Sequence, residues 1–484
     1  MKYQVPKEDG EDVFSPARET VPELVESNHS LLERQDFEVA GRRFQELRAS
    51  ARRKVAAGAG ESGSESLRIV VGAHQPGFPG PGIMYKYGVL ETLSHHGLSV
   101  NFVVDSDTCR EVSAKVPYVR RKSMGLKRVV IFPNREGSVF EKLPVPPKDR
   151  VDSRYGEIEK VLESLKEERT VRAFEDFRAV HEKVYAEGES AARVLTDYRR
   201  GYYPTPNVYD SFISTISRSD EFLIYACDIV ERIEEFQEAY NSSLGEHRRK
   251  YRIRSPANPF PDLVGNGALW ELPFWGLDRY GRRHKLWAGG AAGRRFVTTG
   301  CDSGDVCPAR TEAMLSLGVR PRAVCLTMFL RLFAGDLFVH GVGGGNYDRA
   351  TDEIVRRYYG ISPPGYVVCS RTRFLSGRHS GNLSRREEEL KEKRRRMRHN
   401  PERFAPERDP LADEARRILS ACGGKPRARE RVRLRELRRR LLRQISPELS
   451  SVQRELAEVE EAVRRHAALR RRDLPYFLYP RSEL

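Results

Sequence analysis

The sequence predicts an α/β fold in which a parallel, Rossmann-like sheet is divided between two stretches of the chain. Three observations predict it. Buried β-branched runs alternate with helical patterns over residues 67–150 and again over residues 301–380, which is typical of parallel sheets with crossover helices. The stretch between them, residues 151–300, reads as a mainly helical insertion. Apolar residues at spacings of three and four predict an α-helical coiled coil within residues 381–472.

The length of 484 residues is enough for two or three domains. Composition and periodicity divide it into six segments, which are an N-terminal helical arm and linker (1–66), the first half of the Rossmann-like core (67–150), an inserted helical and small-β domain (151–300), the second half of the core (301–380), the coiled-coil helices (381–472) and a tail that docks on the core (473–484).

Charge and cysteine content narrow the class of protein. The formal net charge is +16, which favours a phosphorylated or polyanionic partner, and most of the excess is arginine near the C-terminal end. Seven scattered cysteines, odd in number and without a CxxC pair, argue against a disulfide framework or structural zinc. There is no apolar run of about 18 residues, so we expect a cytoplasmic protein with no membrane span.

The first half of the core begins with a buried strand at Ile69 to Val71, followed by a helix over residues 83–96. A strand over 98–104, a helical piece over 108–116 and a third strand over 127–132 complete the order βαβαβ. This order predicts a parallel sheet with right-handed crossovers. Ligands of such sheets bind beyond the carboxyl ends of the strands.

The remaining elements follow the same rules of periodicity. In the insertion we expect helices over 153–168, 171–186, 189–198 and 221–247, and then short strands over 268–274, 284–287 and 295–299, where all three tryptophans lie. In the second half of the core we expect a helix over 309–317, an apolar run over 323–333, a strand over 337–342, a glycine-rich turn over 343–348, a helix over 350–359 and a strand over 366–369. Towards the C-terminal end, an apolar stripe from Val432 to Ile445 matches the seam from Leu449 to Val463 and predicts an antiparallel helical hairpin.

The first candidate site is the Gly/Pro-rich loop between the strand at Ile69 and the following helix. A strand, a loop rich in N–H groups and a helix N-terminus favour a bound anion. We expect Lys86 and the loop N–H groups to hold phosphates and His74 to stabilise charge on a phosphorus under attack. This loop matches neither the P-loop pattern nor GxGxxG. A structural glycine-rich turn with a hydrogen-bonded histidine is the alternative.

Two further groups lie at other predicted strand ends. The run from His340 to Asp348 holds three consecutive glycines, which let a ligand approach the backbone closely; a plain capped turn is the alternative. Asp105 and Asp107 offer two carboxylates for Mg²⁺ or a substrate ammonium, or they cap the next helix. Arg322 and Arg331 contact phosphate in one interpretation and lie on the surface in the other.

These groups define a set of predicted site residues, and no metal ligand is assigned among them. The predicted catalytic residues are His74, Lys86 and Asp105, and the predicted nucleotide- or substrate-binding residues are Gln75, Gly77, Gly80, Gly82, Tyr85, Asp107, His340, Gly341, Gly343, Gly344, Gly345, Asn346, Tyr347 and Asp348.

Two short motifs resemble a known family. Residues 71–77 (VGAHQPG), with Gly80, Pro81 and Lys86, resemble the "GQQ-x-G-x-x-x-GP…K" segment of the bacillithiol-synthesis cysteine-adding enzymes, a family of proposed cysteine ligases. Residues 320–322 (RPR) through 341–347 (GVGGGNY) look like that family's "RP…GGPGE-x-x-Y" segment. His74 stands where the family usually has glutamine.

The resemblance implies that the core binds ATP, ADP or another adenine nucleotide. Mg²⁺ is a candidate companion because of the carboxylates at Asp105 and Asp107. It also implies that cysteine is joined to a sugar-linked amine and that the chain forms a homodimer through the coiled coil. We therefore expect a ligase-like or transferase-like enzyme that joins an amino acid to an amine-bearing small molecule. The alternatives are a nucleic-acid-binding protein that uses the arginine-rich C-terminal helices, and a catalytically degenerate scaffold.

Overall fold

The computed structural model describes residues 2–62, 66–120, 123–165, 167–299, 307–375, 378–422 and 427–484. Cys301 and the predicted domain boundary beside it lie outside the described residues. The chain forms two compact units. Unit 1 comprises residues 1–118, 127–373 and 472–484, and unit 2 comprises residues 119–126 and 374–471. Helices and a mixed sheet together confirm the α/β class.

The strands of the described residues are β1 (Asp12–Ser15), β2 (Glu38–Val39), β3 (Arg42–Arg43), β4 (Ile69–His74), β5 (Leu98–Val103), β6 (Glu111–Arg120), β7 (Ser123–Pro133), β8 (Val208–Phe212), β9 (Leu269–Leu277), β10 (Arg283–Gly289), β11 (Phe296–Thr298), β12 (Cys307–Pro308), β13 (Arg320–Pro321), β14 (Leu337–His340) and β15 (Tyr366–Arg371).

The α-helices of the same residues are α1 (Val21–Glu33), α2 (Phe44–Gly58), α3 (Pro81–Leu93), α4 (Lys148–Glu163), α5 (Glu168–Val184), α6 (Ala191–Tyr202), α7 (Ile213–Ile216), α8 (Asp220–Glu231), α9 (Ile233–Tyr251), α10 (Thr311–Ser316), α11 (Ala323–Phe329), α12 (Val342–Tyr359), α13 (Arg378–His399), α14 (Pro410–Ala421), α15 (Ala428–Gln444) and α16 (Ser446–His466). No helix among the described residues is both long and apolar enough to cross a membrane.

The main sheet of unit 1 has the strand order β1-β15-β14-β4-β5-β8. Its strands from β15 to β8 are parallel, and β1 is antiparallel to β15. The chain runs outward from β4 to β5 and β8, and it runs the other way from β14 to β15. The strand order therefore reverses between β4 and β14, and this is the position at which open α/β sheets bind ligands.

Residues 108–132 differ from the prediction. The predicted helix over 108–116 is wrong, because β6 covers most of it and pairs with β7 in a separate two-stranded sheet. Val112, Ala114 and Val116 are buried at alternating positions, which is the period of a strand. The third strand on this side of the main sheet is instead β8, from the segment predicted as an insertion.

The N-terminal segment is more than a helical arm, since β1 forms an edge of the main sheet. Its helices also hold the start of β14 through a buried carboxylate, Asp336. Arg48 and Arg52 of α2 approach this carboxylate at 2.6 and 2.8 Å, and Nδ1 of His29 lies 2.9 Å away. The backbone N–H of Ile69 donates to it at 2.8 Å. One buried acid thus links α1, α2, β4 and β14.

A second sheet in unit 1 has the order β12-β11-β10-β9-β13. Its strands β9, β10 and β11 confirm the short strands predicted for the tryptophan-rich segment. The predicted helix over 221–247 is divided into α8 and α9 at Arg232. The run over 323–333 forms α11 followed by a π-helical turn, and its apolar side chains belong to the core shared by α2, α8, α9 and α12.

Residues 472–484 pack within unit 1. Tyr476, Phe477, Leu478 and Tyr479 are each fully buried. The Phe477 ring stacks on Phe177 with 4.7 Å between centroids. The tail therefore completes an aromatic cluster against the helices α5 and α6 rather than extending from the fold.

In unit 2 the helices pair differently from the predicted hairpin. The seam of α16 packs against α13, where Val452 and Leu456 are buried with Leu390 and Met397. The stripe of α15 packs against α14 instead, and Val432 is 62% exposed. The apolar seam from which a dimerising coiled coil was expected is thus covered by α13 of the same chain.

Candidate functional site

A cavity of about 810 Å³ opens at the carboxyl ends of β4, β5 and β14, where the strand order reverses. Seven of the predicted site residues line it, namely His74, Gln75, Asp107, His340, Gly344, Tyr347 and Asp348. The other ten lie outside its lining. The small sheet and α11 supply the facing wall, of which only Arg322 is among the candidate ligand-contacting residues from the sequence.

His74 and Gln75 lie at the end of β4 and line the cavity. Nδ1 of His74 lies 2.8 Å from the carbonyl oxygen of Gln75. Burial, followed by the nearby Lys86 ammonium, lowers the pKa of His74 to about 4, so the ring is neutral at pH 7. The Gln75 amide donates to the Asp107 carboxylate.

The rest of the opening loop faces the C-terminal tail, not the cavity. The backbone N–H of Tyr476 donates to the carbonyl of Pro79 at 2.9 Å. A Cβ on Gly80 would lie 2.2 Å from the carbonyl oxygen of Arg472, and a Cβ on Gly82 would lie 2.9 Å from the Ser370 hydroxyl. These glycines therefore permit close packing of the protein on itself. Gly77 borders a narrow pocket beside Tyr87 and Arg199.

Lys86 and Tyr85 of α3 are likewise committed to partners within the fold. The Lys86 ammonium donates to the carbonyl of Ala73 at 2.9 Å, and burial lowers its pKa to about 8. The Tyr85 hydroxyl donates to Asp12 at 2.8 Å. Lys86 therefore binds the backbone near the end of β4, and neither residue belongs to the cavity lining.

Asp105 and Asp107 point to different partners. Asp105 is buried and accepts the backbone N–H of Ser214 at 2.8 Å together with its hydroxyl, and burial raises its pKa to about 6. Asp107 accepts Arg283 at 2.8 Å. The two carboxylates thus bond to different protein donors, and only Asp107 lines the cavity. They do not form the paired site for Mg²⁺ or an ammonium that is one of the alternatives from the sequence.

Within the described residues, one group of side chains has metal-ligand geometry, Asp152 with His181 and Glu182. It lies on α4 and α5. The Lys148 ammonium approaches Asp152 at 2.6 Å and Glu182 at 3.0 Å, and Arg178 approaches Asp152 at 3.4 Å. These cations already balance the carboxylates, so the group is a charge network on a helical surface.

The second glycine segment is helical, so the predicted turn over 343–348 is wrong. The helix α12 begins at Val342, with Gly341 as its N-cap. A Cβ on Gly345 would lie 2.2 Å from Cγ2 of Val368, and this glycine therefore allows α12 to lie directly on β15. The side chain of Asn346 bonds to the backbone of Tyr3 at 2.9 and 3.0 Å. Gly343 is exposed.

His340 and Asp348 form a buried pair on the cavity wall. Nε2 of His340 lies 2.8 Å from Oδ2 of Asp348, and Arg331 donates to the same oxygen at 2.6 Å. Nδ1 faces Gly344, whose Cβ position would be 2.7 Å away. An ionised carboxylate only accepts hydrogen bonds, so the neutral ring carries its proton on Nε2 and presents the Nδ1 lone pair towards Gly344.

Burial and the neighbouring charges together set the protonation of this pair. Burial is the largest influence on both groups, and it lowers the pKa of His340 despite the neighbouring carboxylate. Burial alone would raise the pKa of Asp348, but Arg331 and His340 outweigh it and hold that pKa well below its usual range. At neutral pH the arrangement is a neutral imidazole beside an ionised carboxylate that a buried guanidinium stabilises.

The facing wall carries cations around Trp275. Arg283 and Arg322 lie over its ring at 4.8 and 4.0 Å from the centroid. Nη1 of Arg322 donates to Glu271 at 2.8 Å, and Lys285 approaches the same carboxylate at 3.0 Å. Although burial favours its neutral form, these two cations hold the pKa of Glu271 below its usual range. Arg283 and Lys285 are two residues apart on β10 and therefore lie on the same face of the strand. This spacing is the signal in the sequence that could have identified them as neighbours.

Arg322 carries two buried donor atoms that lack a partner among the described residues. Its side chain is only 13% exposed. Within the described part of the chain, Nε and Nη2 are buried without a hydrogen-bond partner. Buried donors of native proteins are normally satisfied, and an Arg edge with two free N–H groups matches the two oxygens of a carboxylate or phosphate.

The remaining wall is apolar and aromatic, with Tyr240, Phe260 and Tyr347 near Leu326. The cavity thus combines a cationic end, an aromatic wall and a histidine held by a carboxylate. Compared with protein-family models and with curated proteins, the chain gives no match. Its own residues and their geometry are therefore what indicate the chemistry of this cavity.

Proposed function

We propose that unit 1 is a ligase-like enzyme that binds ATP or another adenine nucleotide in this cavity and joins an amino acid to an amine-bearing small molecule. In this proposal the main sheet is a split Rossmann-like core, with halves around β4–β5 and β14–β15. The buried Nε and Nη2 of Arg322, a residue of the cavity lining, are unpartnered within the described chain and are the observation that carries the proposal, because such a donor pair matches a ligand with paired anionic oxygens.

The dimensions and the position of the cavity support a nucleotide-sized ligand. Cavities of about 300–1,000 Å³ accommodate drug-sized ligands, and this one measures about 810 Å³. It lies where the strand order reverses, as in other open α/β sheets. Phe260 and Tyr240 offer an aromatic surface for a base, and Arg322 and Arg283 lie at the cationic end for phosphate or carboxylate.

His340 supplies the proton acceptor in the joining step. The amine nitrogen attacks an activated carboxyl carbon, and its proton moves to Nδ1 of His340 while the phosphate-bearing group leaves with the electron pair of the broken C–O bond. Asp348 holds the ring by Nε2 and stabilises the imidazolium that forms. Arg331 keeps Asp348 ionised. Gly344 leaves room beside Nδ1 because it has no side chain.

Nucleotide binding by Arg322 is tested by calorimetry. Titration of ATP and AMP into the wild type and into Arg322→Gln should show ATP affinity reduced by about 10–100-fold in the variant, since a hydrogen bond to a charged group contributes about 1.5–3 kcal/mol. Arg279→Gln is the matched control. It removes the same charge from an exposed position near the same sheet, and its ATP affinity should equal that of the wild type. Equal affinity in Arg322→Gln, or no ATP binding by the wild type, would contradict the proposal.

The role of His340 is tested by turnover with ATP, cysteine and D-glucosamine, measured as nucleotide cleavage and amide product. His340→Gln should lower kcat by about 10²–10⁴-fold, the usual contribution of a positioned base. His284→Gln should leave kcat unchanged, because His284 pairs with Asp278 at 3.1 Å in a partly exposed position outside the cavity lining.

The pH profile separates catalysis from structural support. Since the pKa of His340 is lowered, the base stays unprotonated below the ordinary histidine value of about 6.5, and kcat should fall only at lower pH. Asp348→Asn should move this acidic limb further down in pH, because the carboxylate favours the protonated ring. A wild-type limb above pH 7, or an unmoved limb in Asp348→Asn, would exclude His340 as the base.

A further inference from the structure

The helix α15 of unit 2 carries an unusual concentration of one charge. Its 17 residues, ARERVRLRELRRRLLRQ, include eight arginines and two glutamates. Leu434, Leu437 and Leu441 are buried against α14. The arginines therefore distribute over the flanks and the outer face of this helix.

Ion pairing divides these arginines into two classes. Arg433 pairs with Glu414 at 2.7 Å and Arg438 with Glu402 at 2.7 Å. The remaining six form no ion pair within the described residues, and they are Arg429, Arg431, Arg435, Arg439, Arg440 and Arg443. All six are exposed. Among the three consecutive arginines at 438–440, Arg438 therefore has an internal partner and the other two have none within the described residues.

The helix α13 provides the contrast. Arg385, Arg386, Arg395 and Arg396 each lie within 3.5 Å of a glutamate oxygen. These four arginines are thus occupied by internal partners, although Lys393, Arg394 and Arg398 of the same helix form no ion pair within the described residues. On α15 most of the arginines are unpaired within the same part of the chain, so their guanidinium groups are available to an external anion.

Four of the six unpaired arginines follow a regular spacing. Arg431, Arg435, Arg439 and Arg443 recur every fourth residue, and with a rise of about 1.5 Å per residue their Cα atoms are about 6 Å apart along the axis. The row spans about 18 Å. Regularly spaced guanidinium groups of this reach match the repeating phosphates of a nucleic-acid strand, to which arginine binds bidentately.

We propose that this arginine row is a docking surface for the phosphate backbone of double-stranded DNA, bound without regard to base sequence. Proteins that bind single strands stack bases on aromatic side chains, and α15 has none. A helix fits the wide major groove of B-form DNA, whereas the major groove of double-stranded RNA is too narrow. Glu436 is paired with Arg433 at 3.0 Å, so the acidic residue within the row is neutralised.

The experiment measures binding of the full chain to a fluorescein-labelled 20-base-pair DNA duplex by anisotropy between 50 and 200 mM NaCl. The test variant changes Arg431, Arg435, Arg439 and Arg443 to Gln, which keeps helix propensity. The control changes Arg385, Arg386, Arg395 and Arg396 to Gln and so removes the same total charge. Helicity and melting temperature are compared by circular dichroism for all three proteins.

The test variant should lose at least tenfold in affinity at 50 mM NaCl, and the slope of log K against log salt should fall by about 3–4, close to 0.9 for each lost phosphate contact. The control should stay within twofold of the wild type. Equal loss in both variants would overturn the proposal. Tighter wild-type binding to a 20-base-pair RNA duplex, to polyglutamate or to vesicles with 30% phosphatidylserine would also overturn it.

Discussion

Replacing Asp336 by alanine is expected to lower the free energy of unfolding of unit 1 by about 3–5 kcal/mol. The side chain is fully buried and pairs with Arg48 and Arg52, whose side chains are only 3% and 10% exposed. Its removal leaves two buried guanidinium groups uncompensated. Urea unfolding followed by tryptophan fluorescence measures the loss, because Trp270, Trp275 and Trp287 all belong to unit 1.

Asp36→Ala is the matched control for Asp336→Ala. Asp36 is 82% exposed and lies 3.8 Å from Arg43, so its removal should change the free energy of unfolding by less than about 0.5 kcal/mol. If Asp336→Ala were as mild as this control, the buried ion network would not hold the N-terminal helices to the sheet.

The same carboxylate makes the free energy of unfolding of unit 1 depend on pH in the acid range. Burial alone would raise its pKa, but the His29 hydrogen bond and the charges of Arg52 and Arg48 outweigh burial and hold the pKa of Asp336 at about 2. The unfolded chain has an ordinary aspartate with a pKa near 3.8. The stabilisation is therefore complete above about pH 4 and is lost as the pH falls towards 2. In Asp336→Ala this part of the pH dependence should vanish.

Replacing Phe477 by alanine should destabilise unit 1 by about 3–5 kcal/mol, the range for removing a fully buried aromatic ring. The Phe477 ring stacks on Phe177 and contacts Phe78 and Phe174 at 5.1 and 5.5 Å between centroids. The cavity that remains would lie under the loop that leads into the site. Tryptophan fluorescence in urea measures this effect as well.

Leu315→Ala is the comparison for Phe477→Ala, since Leu315 is a large apolar residue of unit 1 that is 48% exposed. It should cost less than about 0.5 kcal/mol. A Phe477→Ala variant with the same midpoint and slope as Leu315→Ala would mean that the tail contributes no packing energy.

The sequence predicted the strands of the main sheet best where a short apolar run is enough to indicate that the segment is buried. The strands at Ile69, Leu337 and Tyr366 are mostly apolar on both faces, as is typical of central parallel strands, and each is a strand of the main sheet. The strand at Leu98 belongs to the same sheet, although Ser99 and Asn101 are buried on one of its faces. At residues 108–116 a helix was expected, although Val112, Ala114 and Val116 alternate with polar residues. The alternation of apolar and polar residues there correctly indicated a strand, β6. Because β6 lies outside the main sheet, the third strand on this side is β8 and was not predicted.

Glycine was the residue type most easily misinterpreted. The run from Gly343 to Gly345 has poor helix propensity and suggested a turn, yet tertiary packing places it in the first turns of α12. The reason is contact rather than flexibility, because Val368 occupies the space that a side chain on Gly345 would need. A single sequence carries no record of that neighbour.

The site was predictable at the ends of the strands and not beyond them. His74, Asp107 and His340 follow buried runs, so their common edge could be inferred from the order of the elements. Their partners could not be, since Asp107 meets Arg283, which is 176 residues away. The residues of the facing wall thus depend on where the second sheet of unit 1 packs against the main sheet, and the periodicity of a single segment does not encode this long-range packing.

The C-terminal tail has a consequence for how the protein is made. The chain leaves unit 1 at residue 373, forms most of unit 2 and re-enters unit 1 at residue 472. During synthesis, unit 1 therefore lacks its last aromatic layer until residues 472–479 have emerged from the ribosome, by which time the helices of unit 2 are already available to fold. Domains generally fold as units in the order of synthesis, but here the unit whose chain begins first is the one that is completed last.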